Sequence, residues 1–145
     1  MNICQYRKLY TNEILSIINS KKICNLATIN SNTANITPMW FIFDNDKNNN
    51  MTFYFINMSD EANLNELNEN DKLCISFENY IIDFYMGAYQ SVTIHGIPHI
   101  ITDYKEKENV LSRFRKKYSI DECKEKTSGF TYIKIQVTDI GGRQY

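Results

Sequence analysis

A strand-to-helix turn at residues 57–60, Asn-Met-Ser-Asp, is where this sequence could bind an anion. Residues 51–57 have the pattern of a strand, and residues 59–70 have that of a short helix. The first backbone N–H groups of a helix have no intrahelical acceptor, so such a turn is a ready phosphate site. Five acidic residues and no Lys or Arg lie between Phe55 and Asp71. We therefore hypothesise an anion site that relies mainly on neutral donors.

Other groups that could do chemistry are few. His95 and His99 are four residues apart on a predicted strand, so they point to the same face. A two-histidine metal site would need a third ligand, and none is evident nearby, so we predict no metal and favour ordinary surface or interface histidines. No catalytic triad or carboxylate pair is evident either. We name no catalytic residue.

The four cysteines, Cys4, Cys24, Cys74 and Cys123, are isolated and form no C-x-x-C pair. This spacing does not favour a zinc site or a redox motif. We interpret them as reduced thiols of a cytoplasmic protein, with Cys24 and Cys74 buried as small hydrophobic residues.

Two basic features of the sequence, a run of four cations and a single arginine, each allow two interpretations. The basic run at 113–117 (Arg113, Arg115, Lys116 and Lys117) resembles a phosphate patch, but we favour the interpretation that it complements the C-terminus of a helix. Arg143 lies in the tail "GGRQY", where it could either approach a ligand or fray in solvent.

The elements that must position these residues include six predicted strands. Residues 34–43 contain Pro38, which cannot donate to a strand ladder and so predicts an edge, a bulge or a ligand mouth. Residues 51–57 are apolar on both faces, which predicts that both faces are covered. Gly96 and Pro98 predict a bend in the fifth strand. The strands are expected at about 22–29, 34–43, 51–57, 72–79, 89–102 and 130–140.

Helices are predicted between these strands. Residues 11–20 carry one apolar stripe and could be capped by Thr11. Residues 59–70 form a short helix with Ser59 or Asp60 as its cap. Residues 104–118 follow a start resembling a capping box, formed by Asp103 and Glu106. A second small helix is expected at 120–126.

Composition limits the class of protein. The chain has 145 residues, 43% of them hydrophobic, and a net charge of −1. This suits one globular domain over residues 1–145 and gives no reason to expect nucleic-acid or membrane binding. We predict a mainly β fold with some helix: a six-stranded antiparallel split β-barrel with flanking helices.

The order of four motifs resembles the flavin-binding split-barrel family that includes pyridoxamine 5'-phosphate oxidase. Within it, the sequence is most similar to the nitroimidazole-reductase-like and general-stress-type members. The motifs are "CNLATINSNTANITPMWFIFD", "FYFINMSDEANLNELNENDKLCISF", "YQSVTIHGIPHIITD" and "IKIQVTDIGGRQY".

The resemblance implies a homodimer that binds two FMN molecules at the subunit interface. It implies an oxidoreductase that takes electrons from NADH or NADPH and reduces a small molecule. The flavin would lie near the second strand, and Trp40 could stack on it or belong to the core or the dimer interface. The implied cofactor-binding residues are Thr37, Pro38, Met39, Trp40, Asn57, Ser59, Asn63, Gln90, Ser91 and Arg143.

The sequence departs from the family pattern at positions that often carry charge. Ala62 and Asn63 occupy the helix turn where Lys or Arg is frequent, and Gln90 replaces an Arg. Ile56 stands where some members carry His. Charge-assisted hydrogen bonds are about twice as strong as neutral ones, so FMN binding is expected to be weak. The alternative function is therefore a non-catalytic ligand-binding or stress-related protein with weak or no flavin.

Overall fold

The fold is described from a computed structural model, for residues 5–58, 64, 67–82, 87–120 and 129–145. Within these residues the chain forms eight strands and two helices. The predicted helix at 120–126 lies outside the described residues except for residue 120. Of the predicted helix at 59–70, residues 64 and 67–70 are described, and residues 67–70 form a turn instead of helix, closed by the bond from the Asp71 N–H to the Asn68 carbonyl oxygen at 2.9 Å. The strands are β1 (Arg7–Lys8), β2 (Ile23–Asn30), β3 (Thr33–Trp40), β4 (Ile42–Asn45), β5 (Met51–Asn57), β6 (Leu73–Ile82), β7 (Gly87–Ile100) and β8 (Thr131–Gln144). The helices are α1 (Thr11–Ser20) and α2 (Tyr104–Tyr118).

One antiparallel sheet contains all eight strands, in the order β3-β2-β6-β7-β8-β5-β4, with β1 paired to β8. The two ends of this order, β3 and β4, are joined in the chain by the single residue Phe41. The sheet therefore has to curl until its ends meet, although no ladder joins β3 to β4. This open, curled antiparallel sheet with flanking helices confirms the predicted split-barrel fold class.

Tight turns set the register of the hairpins. Ser31 and Asn32, between β2 and β3, both have positive φ, as a two-residue hairpin turn requires. In the loop before β5, the Asp46 carboxylate accepts from the backbone N–H groups of Asn48 and Asn50. The β7–β8 register shifts between His95 and Gly96, at the site where the sequence predicts a bulge or bend, and the extra residue, Thr138, lies in β8.

The barrel interior is filled by alternate residues of the strands and by one face of α1. Phe53, Phe55 and Phe77 lie in this core together with Ile17 and Ile18 of α1. The expected cap of α1 is not Thr11, which is the first helical residue. Tyr10 occupies the cap position, and the Glu13 carboxylate accepts from its backbone N–H at 2.7 Å.

A second apolar cluster lies between α2 and the sheet. Val110 and Phe114 of α2 pack against Ile42, Ile56 and Tyr132. Asp103 caps α2 as predicted, its side chain accepting from the backbone N–H of Glu106 at 3.0 Å. Both faces of β5 are therefore covered, one by the barrel core and the other by α2, as its sequence predicts.

No helix within the described ranges is long and apolar enough to cross a membrane.

A candidate ligand cleft beside strand β3

Four consecutive residues of β3 form one wall of a cleft of about 340 Å³, which we call the Trp40 cleft. Asn57, at the end of β5, is buried and lies on the same cleft. In the described part of the chain, β3 is hydrogen-bonded only to β2, so Pro38 lies on an edge strand as predicted. The described lining residues are Thr37, Pro38, Met39, Trp40, Ile56, Asn57, Met58, Leu64 and Phe114.

The Trp40 cleft therefore brings together five of the residues predicted to bind a cofactor. It also contains Phe114 of α2, which is not among the predicted cofactor-binding residues. Ser59 and Asn63, the predicted donors of the following turn, lie outside the described residues.

Trp40 is held in place by stacking on one side. Its ring is parallel to that of Tyr118, with centroids 4.8 Å apart and an interplanar angle of 6°. The side chain remains 44% exposed, so Trp40 is not a core residue. An aromatic ring fixed in this way presents a flat surface on which a planar ligand can stack.

Tyr118 is itself fixed by the break between β3 and β4. Its hydroxyl accepts from the Phe41 backbone N–H at 2.9 Å and lies 2.6 Å from the Phe41 carbonyl oxygen. Burial raises the pKa of Tyr118 to about 12, so the phenol stays protonated. Tyr118 of α2 therefore contacts both the backbone of Phe41, at the break between β3 and β4, and the ring of Trp40.

Among the described residues that line the Trp40 cleft, none is Lys, Arg, His, Asp or Glu. That an anion here is held mainly by neutral donors stays a prediction, because the turn after Met58 lies outside the described residues.

Two further predicted residues, Ser91 and Arg143, lie together in a different place. They line a groove of about 620 Å³, the Arg143 groove, with Thr93, His95 and Asp139 among its other residues. Ser91 and Arg143 are opposite each other in the β7–β8 register. Within one subunit, this groove and the Trp40 cleft share no lining residue.

The tail that carries Arg143 belongs to the sheet. Arg143 lies inside β8, paired with Lys8 on one side and Ser91 on the other, so the fraying interpretation is wrong. Its guanidinium lies 4.4 Å from the centroid of the Tyr6 ring. A side-chain hydrogen bond with Tyr145 raises the pKa of Arg143. The groove thus contains a fixed positive charge.

Gln90 is not brought together with Ser91, because neighbouring strand residues point to opposite faces. Its side chain is buried and accepts from Asn79 Nδ2 at 2.8 Å. It also donates to Gln144 Oε1 at 2.9 Å. Its assignment to a cofactor stays a prediction.

The remaining candidate groups have local partners. His95 lies 3.7 Å from Asp139, and His99 lies 3.2 Å from Glu69. No group of three potential metal ligands occurs among the residues described. Cys24 and Cys74 are free thiols. Cys24 is buried as predicted, and burial raises its pKa to about 12, whereas Cys74 is only partly buried, contrary to the prediction. Cys4 and Cys123 lie outside the described residues.

The fold and the sequence place this chain in a known family. The family model for pyridoxamine 5'-phosphate oxidase matches residues 10–144, so the chain belongs to that family. No sequence among the curated proteins matches the chain.

Solved structures with the same fold have low sequence identity. A putative 5-nitroimidazole antibiotic resistance protein from Bacteroides thetaiotaomicron is 19% identical with a TM-score of 0.75, covering 97% of this chain and 87% of its own. A FAD-binding protein from Mesorhizobium loti is 14% identical with a TM-score of 0.72, covering 97% and 98%. A FAD-binding protein from Mycobacterium smegmatis is 16% identical with a TM-score of 0.69, covering 96% and 98%.

Proposed function

We propose that this chain binds a flavin nucleotide, FMN, and acts as an oxidoreductase that reduces a small molecule with electrons from NADH or NADPH. The observation that carries the proposal is the Trp40 cleft in a chain of this family. Family membership and the flavin-binding proteins among its structural neighbours support a flavin.

The residues of the Trp40 cleft fit a flavin ring. The isoalloxazine is planar and aromatic, and the half-exposed Trp40 ring offers it a stacking surface. Met39 and Phe114 provide apolar contact, and Thr37 and Asn57 provide polar groups at the edge. The strand β3 has no second strand partner among the described residues, so its backbone groups are available to a ligand.

A homodimer would supply the charge that the cleft lacks. We propose that the Arg143 groove of the partner subunit faces the Trp40 cleft across a two-fold axis. Arg143 and Lys8 would then lie near the phosphate or the ring, which a single subunit does not achieve. This arrangement gives a role to both groups of predicted residues.

The flavin, once bound, supplies the electron transfer, and the protein supplies binding and orientation. On this proposal Trp40, fixed by Tyr118, sets the plane of the ring. The buried Asn57 anchors one end of the cleft, and the apolar wall keeps water from the other. No acid or base of the chain is required by this assignment.

One observation favours a second function, that of a non-catalytic ligand-binding or stress-related protein. The described lining of the Trp40 cleft is without charge, so a phosphate would gain little from it. A helix N-terminus favours an anion by only about 0.3–1 kcal/mol when exposed. A chain with such a cleft could bind flavin weakly without turning it over.

Titration with FMN tests whether the strand-to-helix turn that begins at Asn57 binds the FMN phosphate. We expect Asn63→Lys to tighten FMN binding about tenfold, the effect of one charge-assisted contact. Asn48→Lys, which adds the same charge in the loop before β5, should leave the affinity within about twofold. If Asn63→Lys leaves FMN affinity unchanged or lowers it, the turn is not the phosphate site.

Trp40→Ala tests the ring end of the cleft. Loss of a stacking partner should weaken FMN binding about tenfold, because one aromatic pair contributes ~0.5–1.5 kcal/mol beyond the area it buries. Tyr104→Ala removes an exposed ring that lines neither cleft and serves as the control. Equal effects of the two substitutions would place the flavin elsewhere.

One measurement separates the oxidoreductase from the non-catalytic binder, and a second identifies the flavin. A yellow protein whose flavin band at about 450 nm is bleached by NADH or NADPH is an oxidoreductase, because the cofactor carries the electrons. Chromatography of the heat-released flavin distinguishes FMN from FAD. A flavin that neither nucleotide reduces would favour the non-catalytic function.

A further inference from the structure

A basic cavity of about 510 Å³ lies between the end of α1 and the last turns of α2. We call it the Lys117 cavity. Of the described residues that line it, three are cationic and none is acidic, in a chain whose net charge is −1. The described lining residues are Asn19, Phe41, Ile42, Phe43, Arg113, Lys116 and Lys117.

Only one of the three cations is neutralised. Both terminal nitrogens of Arg113 donate to the Asp44 carboxylate, one of them at 2.8 Å. Lys117 donates instead to the Phe41 carbonyl oxygen at 2.9 Å, and its ammonium lies 4.0 Å from the Phe41 ring centroid. Within the described residues, no carboxylate lies within 4.0 Å of the ammonium of Lys116 or Lys117.

Lys117 also has positively charged neighbours. Burial is the main cause that lowers the pKa of Lys117, and the charges of Arg113 and Lys22 lower it too, while Cys24 acts in the opposite direction. Concentrated like charges destabilise the ionised form of each other. A bound anion would relieve this repulsion.

The helix dipole alone does not account for this cluster. Cations near a helix C-terminus gain about 0.3–1 kcal/mol whichever side of the helix they occupy. Arg113 and Lys117 are four residues apart, so they share one face of α2, and that face is turned toward β4. Lys116 and Asn19 stand at the rim of the same cavity. The cations therefore converge on one volume.

We propose that the Lys117 cavity binds a phosphate group, either as inorganic phosphate or as the phosphate of a small monoester. A tetrahedral phosphate has enough acceptor oxygens to receive hydrogen bonds from Lys116, Lys117 and Arg113 together, whereas a carboxylate has only two oxygens. Phe41 and Ile42 in the floor are almost fully buried and Phe43 is partly exposed, so the three cations are the groups of the described lining that would select an anion.

This site is separate from the flavin site proposed above. The Lys117 cavity and the Trp40 cleft share no described lining residue, and Phe41 and Tyr118 lie between them. Phosphate binding here would add a second ligand to the protein, and it can be tested whether or not the protein binds flavin.

The test is an NMR titration of the full chain with sodium phosphate, with ribose 5-phosphate, and with sodium chloride at matched ionic strength. We expect saturable shifts of the backbone amides of Asn19, Phe43 and residues 113–117 with both phosphates and not with chloride. Equal affinities would identify inorganic phosphate as the source, and tighter binding of the ester would identify an organic phosphate.

Charge-matched variants complete the test. Lys116→Gln removes an exposed cation of the cavity and should raise the Kd for phosphate about tenfold, the effect of one lost charge-assisted contact. Lys105→Gln removes the same charge from α2 about 16 Å away, beyond the Debye length at physiological salt, and should change the Kd less than twofold. Chloride shifts as large as those of phosphate, equal effects of the two variants, or shifts confined to Trp40 and Asn57 would each overturn the proposal.

Discussion

Gln90 shows how a single residue can have a different role from the one its position suggests. Its buried amide joins Asn79 of β6 to Gln144 of β8, and Gln144 accepts in turn from Arg7 at 3.1 Å. The family resemblance assigns this position to the cofactor, but the alternation of β7 points the side chain to the opposite face from Ser91. A sequence motif specifies a strand position and does not specify what the side chain contacts.

We therefore predict that Gln90→Ala destabilises the fold. Two partly buried hydrogen bonds are lost and the amides of Asn79 and Gln144 lose a partner, which should lower the free energy of unfolding by about 1–3 kcal/mol. Urea denaturation measures this change in the free energy of unfolding. Gln136→Ala, at an exposed position of β8, should stay within about 0.5 kcal/mol of wild type. Equal stabilities of the two variants would contradict the role of this network.

Glu13 gives a prediction about pH. The hydrogen bonds from the Arg7 guanidinium, and then that from the Tyr10 N–H, lower the pKa of Glu13 from 4.5 to about 2. A carboxyl group whose pKa is lower in the folded state stabilises that state above its unfolded pKa and loses this contribution as pH falls through its folded pKa. The contact should therefore weaken between about pH 4.5 and pH 2.

An NMR titration of the Glu13 carboxyl carbon measures this midpoint directly. We expect a midpoint near 2 in the wild type and a higher midpoint in Arg7→Gln, where the Tyr10 N–H bond remains but the bonds from Arg7 are lost. Lys8→Gln removes a neighbouring charge that does not bond to Glu13 and should leave the midpoint low. An ordinary midpoint in the wild type would show that the pair does not form in solution.

At the scale of elements, the sequence predicts five of the six main strand segments as single strands and misses one break. Residues 34–43 read as one strand, whereas the structure ends β3 at Trp40 and begins β4 at Ile42. The cause is not local: Tyr118, 77 residues away, takes up the backbone groups of Phe41. Hydrophobic alternation contains no information about such a partner, and the two-residue strand β1 is too short for any periodicity.

The bulge beside Gly96, where the β7–β8 register shifts, allows a matched pair of glycine substitutions. A Cβ atom on Gly96 would lie 2.6 Å from Ile135 Cγ2 and 2.7 Å from the Gln136 carbonyl oxygen, whereas one on Gly141 would meet nothing within 4 Å. We predict that Gly96→Ala lowers the free energy of unfolding by about 1–3 kcal/mol, the usual cost of overpacking. Gly141→Ala, also in a strand, should not destabilise. Urea denaturation measures the free energy of unfolding of both variants. Equal stabilities would contradict the close packing at the bulge.

At the scale of the whole molecule, the sequence predicts the fold and much of the lining of the Trp40 cleft. It does not predict that the candidate residues line two separate surfaces, the Trp40 cleft and the Arg143 groove. Thr37 to Trp40 are neighbours in the chain, so one strand brings them together. Ser91 and Arg143 meet through the β7–β8 register, on a surface separate from that strand. The sequence favours the interpretation that the basic run at 113–117 complements a helix C-terminus. It does not reveal the Lys117 cavity, because β4 and α1 contribute to the walls only after folding.

The apolar strand β5 does not account for a dimer, because this chain covers both of its faces. Apolar surface remains exposed elsewhere, on the outer face of the β2–β3 hairpin. Ile23 and Trp40 are opposite each other there, and Ile36 lies opposite Ala27. Ile23 is 53% exposed and Ile36 is 72% exposed. Contiguous exposed apolar surface of this kind indicates an interface.

We predict that the protein is a two-fold dimer that buries this hairpin face. Light scattering at micromolar concentration should give about twice the chain mass of 17.1 kDa. Ile36→Lys should shift the population toward the monomer, because a charge at the centre of an apolar contact is left without a partner. Tyr104→Lys, at an exposed ring on α2, should leave the dimer intact. A wild-type mass of one chain would refute the dimer, whereas a dimer that Ile36→Lys leaves unchanged would place the interface on another surface.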